Sequence, residues 1–187
     1  GTGGVLVAIL PWLLSARLGR IVGLCCFLGS ASVAAGYFVI ALTQMNAFSL
    51  LIDWREPVKL LIVSLVLFAP FLAVGVVLAS IFGACPREID ALYCADLIGA
   101  GLGCAVTVPL ISLLTPPGCV MLAGVLLAAA GVHAARREGP LLVGLTAASG
   151  AVCAAALALH GLLPDPLTDG VKTLTHVRKT ATPILFS

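Results

Sequence analysis

Of 187 residues, 61% are hydrophobic and only 10% are charged, with a mean hydropathy of +1.19, whereas an average soluble domain carries about a quarter charged residues. This excludes a soluble enzyme and a disordered chain, and a net charge of +2 is too small for a nucleic-acid surface. What fits is an all-α, polytopic transmembrane helix bundle. At about 1.5 Å of rise per residue and roughly 30 Å of hydrocarbon per crossing, about six spans is the practical ceiling once loops are allowed for.

Charges fall in clusters between apolar stretches, and these clusters mark the span boundaries. The first apolar run, residues 3–16, is shorter than the roughly 20 residues of a crossing, so it is expected to be a truncated span. Arg17 and Arg20 follow it, on the wrong side for a signal peptide. The second span is expected over 21–43. The connection TQMNAFSLLIDWREPVK then carries Asn46, Asp53, Arg55, Glu56 and Lys59. It fits an interfacial segment with Trp54 at headgroup level, or equally a plain loop.

A third span starts at Pro57, a favoured first-turn residue, and runs to Phe82 with a bend at Pro70, which cannot donate to the Val66 carbonyl. The fourth, 89–113, contains YCADLIGAGLG and Pro109; LTPPG is a turn, and the fifth span covers 118–135. Arg136, Arg137 and Glu138 mark the next boundary. The sixth, 140–163, is stopped by LPDP, whose prolines remove two backbone donors. Residues 1–163 thus form the bundle, and 164–187 a polar tail or a linker to a soluble domain that would follow. In that tail Lys172, His176 and Lys179 recur at i, i+4, i+7 beside Arg178. They would form a basic stripe if helical, although its threonines weaken a helix.

Small residues suit close helix approach, because lipid supplies no hydrophobic drive for association. Gly3, Gly4, Gly19, Gly23, Gly29, Gly36, Gly75, Gly99, Gly101 and Gly103 give several spans such faces. Ala95, Gly99 and Gly103 recur at i, i+4, i+8 and align on one side, so leucine at either glycine is expected to disrupt packing. The spacing G-x-G-x-G inside an apolar helix is not a nucleotide-binding loop, which needs a preceding strand and G-x-G-x-x-G.

Asp96 lies inside the fourth span, where a carboxylate at a helix centre costs about 2.5–3.5 kcal/mol on insertion scales. It needs a partner or water. One reading is a proton or cation site; the other is a structural carboxyl hydrogen-bonded to Tyr93 or to a hydroxyl such as that of Thr107. The structural reading is preferred, because no second ionisable residue lies well inside another span. The seven cysteines contain no C-x-x-C pair and serve as small hydrophobes. His133, His160 and His176 lack ligand spacing, so no metal site is expected. No catalytic residue and no cofactor are expected either.

Residues 67–124 carry Pro70, Phe71 and Gly75, then Tyr93, Asp96, Leu97, Gly99, Ala100 and Gly103, then a Leu-Leu and Pro-Gly turn. This pattern resembles the membrane region of spermidine synthase-like (polyamine aminopropyltransferase-like) multi-pass membrane proteins, in which a multi-helix domain precedes the aminopropyltransferase-like domain. The segment VKTLTHVRKTATPILFS is similar to the linker between the two. The resemblance implies an anchor or assembly domain in a bacterial inner membrane, not catalytic by itself, with the lipid bilayer and other membrane subunits as partners and no nucleic acid. The family's polyamine site falls on no residue present. Alternatives are an accessory subunit of a larger complex, or a small-solute or polyamine transporter. A transporter would want a polar cavity with paired ionisable groups, and only Asp96, Pro70 and Pro109 point that way. Orientation is tied: Arg17, Arg20, Arg87, Arg136 and Arg137 oppose Arg55, Lys59, Lys172, Arg178 and Lys179. The resemblance puts the tail inside.

Overall fold

A computed structural model describes residues 2–9, 17–42 and 54–159, and every regular element among them is helical. The elements are α1 (Thr2–Ile9), α2 (Leu18–Leu42), α3 (Arg55–Ala84), α4 (Ile89–Ala135) and α5 (Pro140–Ala158), with a 3-10 turn at Pro86–Glu88 between α3 and α4. Several expectations lie outside the described residues: the end of the first span (10–16), the connection 43–53, the end of the sixth span with His160, and the tail 164–187 with Lys172, His176, Arg178 and Lys179.

Among the described residues, four helices are long and apolar enough to cross a membrane: α2, α3, α4 with its preceding turn, and α5. Such spans are helical because a backbone in hydrocarbon must satisfy its own hydrogen bonds. The helix α3 runs through Pro70 without interruption. The 47 residues of α4 would make a rod of about 70 Å, more than twice the hydrocarbon core of about 30 Å. It is broken at Thr115, where φ is 60° and ψ is 157°. That ψ suits a residue before proline, and Pro116 and Pro117 cannot donate to the carbonyls of Ser112 and Leu113. The LTPPG turn therefore falls at this break, and α4 consists of two arms, 89–114 and 116–135.

Side-chain registers give the directions of the helices. Gly23 lies against Ala135, Gly131 against Cys26 and Gly124 against Val33, so α2 and the second arm of α4 are antiparallel. Gly23 also meets Leu142, and Ser30 meets Cys153, so α5 runs parallel to α2. Ile21 clusters with Val76 and Ala79, Gly29 meets Ala73 and Gly36 meets Val66, which places α3 antiparallel to α2. A Cβ on Gly3 would collide with the backbone of Gly75, so α1 crosses α3 at a point where Gly3 has no room for a side chain.

One end of the bundle therefore gathers Arg17, Arg20, Ala84, Ala135 and Pro140, and the other gathers Leu42, Arg55, Pro117 and Ala158. The first arm of α4 leaves the arginine end through the 3-10 turn and joins the second arm at the opposite end. Its length, about 39 Å at 1.5 Å per residue, carries it along the full height of the bundle, and the kink at Thr115 turns the chain back.

The core is small. On the second arm the buried residues are Pro117, Gly118, Met121, Gly124, Ala128, Gly131 and Ala135, and on α5 they are Leu142, Thr146, Ser149 and Cys153. Steps alternating between four and three keep such a seam facing its neighbours, as in left-handed bundles. Met121, Thr146, Cys26, Cys153, Ser30 and Ser80 are the largest fully buried side chains.

Candidate functional site

The residues singled out from sequence all lie on the first arm of α4, and all are exposed: Tyr93, Ala95, Asp96, Gly99 and Gly103. From Pro86 to Pro116 no residue is buried. A Cβ added at Gly99, Gly101 or Gly103 would meet nothing within 4 Å. The alignment of Ala95, Gly99 and Gly103 on one face is present, but no described residue of this chain packs against it. Thr107 sits on the same helix as Asp96 and donates its hydroxyl to the Gly103 carbonyl at 2.6 Å, so it is not a partner brought from another helix. Ser112 likewise donates to the Pro109 carbonyl at 2.7 Å. The arm thus presents a carboxyl group, a phenol and a stripe of small residues to whatever surrounds the protein.

A second polar group, at the bundle centre, was not picked out from sequence. Thr146 donates to the carbonyls of Leu142 and Val143 at 2.9 and 3.0 Å, and Ser149 donates to that of Thr146 at 2.9 Å. Ser30 Oγ lies 3.7 Å from Cys153 Sγ, which is also 3.7 Å from the Ser30 carbonyl oxygen. Hydroxyls that bond back into their own helix can be buried without an unpaired donor. Glycines close the same seam: a Cβ at Gly131 would come 2.6 Å from the Cys26 Cβ, at Gly124 2.8 Å from Cys153 Sγ, and at Gly150 2.8 Å from the Ala128 Cβ. The signal for this seam was the alternating spacing of Leu142, Thr146, Ser149 and Cys153 in an Ala- and Gly-rich span. Thr146 and Ser149 spend their hydroxyls on carbonyls of their own helix, which suits a packing seam.

The third arrangement is charged. Arg20 Nε is 4.0 Å from Glu138 Oε2, with the arginine side chain 62% exposed and the glutamate 9%. A Cβ at Gly19 would sit 3.0 Å from the Ala134 carbonyl oxygen and 3.1 Å from Glu138 Oε1, so glycine there gives the glutamate its place. Glu138 Oε2 has no hydrogen-bond partner among the described residues. Beside it, Arg136, Arg137, Glu138, Gly139, Pro140, Val143 and Gly144 line an open depression of about 610 Å³. In the sequence these were two separate boundary clusters; the fold puts them at one end.

Among the described residues no group of three or more His, Cys, Asp or Glu side chains is placed to hold a metal ion. No family model, no curated protein and no solved structure matches the chain.

Proposed function

We propose that the chain is a membrane-embedded anchor or assembly domain of a spermidine synthase-like protein in a bacterial inner membrane, without catalysis of its own. The arms 89–114 and 116–135 of α4 cross the bilayer separately in this reading, which brings the layout to about six crossings. The family assignment is supported by the motif from Pro70 to Gly103 alone.

The assembly role is supported by one observation: a long apolar arm runs the height of the bundle with no buried residue. Lipid can cover Leu97, Ile98, Leu102 and Val106, all exposed. It cannot hydrogen-bond Asp96, whose cost at a helix centre, about 2.5–3.5 kcal/mol, falls only when a neighbour supplies a donor. The small stripe beside it admits a helix at close range. An accessory subunit of a larger complex would use the same face.

The test is purification of the full chain in mild detergent, with identification of stoichiometric membrane partners and cross-linking through Cys94 and Cys104, both exposed on this arm. The expected result is a partner held by the native chain and lost in Gly99→Leu and Gly103→Leu. Absence of any partner or cross-linked product overturns the assembly role.

A further inference from the structure

We propose that the arginine end of the bundle binds the headgroup of an anionic phospholipid, with Arg136 and Arg137 on the phosphate and the adjoining wall of α5 along the first part of an acyl chain. This rests on the membrane reading given above. The argument begins with charge. Arg17 and Arg20 open α2, Arg87 lies in the 3-10 turn, and Arg136 and Arg137 follow α4, against the carboxylates Glu88, Asp90 and Glu138, of which Glu138 lies 4.0 Å from Arg20. Arg136 and Arg137 are exposed neighbours with like charge, and an anion between their guanidinium groups relieves that repulsion. Arginine forks match phosphate oxygens in pairs.

Shape then selects the kind of anion. The depression of about 610 Å³ is lined by Arg136, Arg137, Glu138, Gly139, Pro140, Val143 and Gly144, so its two arginines stand beside one carboxylate, which Arg20 approaches at 4.0 Å. A Cβ at Gly144 would meet nothing within 4 Å, so the floor along α5 is open. Next to these residues in the first two turns of α5, Leu141 is 79% and Leu145 41% exposed. A free phosphate would use only the basic wall. A phospholipid uses both, with its phosphate at the level where α5 begins and its chain running down the apolar face. Basic pockets between membrane helices are recognised sites for such headgroups.

The experiment uses the full chain in mild detergent, with native mass spectrometry reading the retention of added phosphatidylglycerol against phosphatidylcholine. The native chain is expected to prefer phosphatidylglycerol. In the Arg136→Gln, Arg137→Gln double variant that preference should fall by roughly fivefold per arginine, while Lys59→Gln at the opposite end leaves it unchanged. If the double variant melts, the native chain decides: its preference must weaken as salt is raised from roughly 50 to 500 mM, because exposed charge contacts are screened. Equal retention of the two lipids, an unchanged double variant, a salt-independent preference or displacement by millimolar inorganic phosphate overturns the proposal, the last by revealing a free-phosphate site. Failure of the membrane reading is distinguishable, because the chain would then not float with vesicles of either lipid.

Discussion

The first arm of α4 carries one stripe of small residues at steps of four, Ala95, Gly99, Gly103 and Thr107, among others such as Ala100, Gly101 and Ala105, whereas the second arm buries Pro117, Met121, Gly124, Ala128, Gly131 and Ala135 at steps that alternate between four and three. Four residues turn a helix about 40° past a full circle, so the strict stripe winds roughly 120° around the first arm between Ala95 and Thr107. The alternating set drifts only about 20° per seven residues and faces α2 and α5 along its whole length. Both arms are rich in glycine and alanine. Burial, more than composition, therefore separates the arm that closes the bundle from the arm left open to a partner, and the break at Thr115 lies between them.

The sharpest way to break this comparison is to add bulk to each arm. In the second arm, Gly131→Leu would force side-chain atoms into the Cys26 Cβ, already 2.6 Å from a single added carbon. Overpacking commonly costs about 1–3 kcal/mol and occasionally more; here Cys26 Cβ and Thr146 Cγ2 close the site in on two sides, and loss of the folded bundle is expected. Gly99→Leu and Gly103→Leu, each facing open space, should leave the melting temperature of the isolated chain in detergent unchanged. Equal destabilisation by substitutions in the two arms would show that the first arm is packed after all.

Truncation gives the next largest contrast. Met121 is fully buried against Ala34, Tyr37 and Cys153, so Met121→Ala should lower stability by about 2–5 kcal/mol. Leu102, 61% exposed on the first arm, should tolerate alanine within about 0.5 kcal/mol. Thermal denaturation of the two variants under one detergent condition reads the difference directly. A large loss for Leu102→Ala would contradict the exposure of that arm.

What the sequence made legible follows from the same physics. Charge clusters located the ends of the helices, and the absence of a donor at Pro116 and Pro117 located the break in α4. Gly3, Gly23 and Gly29 stand out as small residues in the sequence and do lie at close contacts. Gly124, Gly131 and Gly150 do not stand out, because a glycine count does not tell a seam from a scatter; the 4-3 spacing shared with Ala128 and Cys153 does. The site residues Tyr93, Asp96, Gly99 and Gly103 could be placed on one helix from spacing alone. What covers that helix could not be read, since a stripe specifies a kind of contact without naming the neighbour. Nor could the meeting of Arg20 with Glu138, which depends on the antiparallel register of α2 and the second arm of α4.

A smaller effect probes the buried hydroxyls. The Thr146 hydroxyl bonds to carbonyls of its own helix that retain backbone partners, so Thr146→Val removes a donor together with its need for an acceptor. Replacements of this kind are close to neutral, and the melting temperature should change by less than the equivalent of about 1 kcal/mol. A larger loss would mean that the hydroxyl holds the seam together, and that the second arm depends on polar contacts as well as on close packing.

A change of opposite sign tests the boundary itself. At φ 60° and ψ 157°, Thr115 occupies a backbone region that is essentially reserved for glycine and costs other residues of order 1–3 kcal/mol. Pro116 favours the extended ψ, and the positive φ goes with the reversal of the chain that brings the second arm into the bundle. Thr115→Gly removes the steric cost but gives the unfolded chain more freedom, which takes back about 0.5–1 kcal/mol. The net result should be a rise in stability of up to about 2 kcal/mol, seen as a higher melting temperature. Thr115→Val keeps the branched side chain and the strain while deleting the hydroxyl, so it should melt with the native chain. If glycine lowers the melting temperature and valine lowers it equally, the turn is held by the threonine hydroxyl, and the break between the arms is a side-chain feature that other residues at this position could not reproduce.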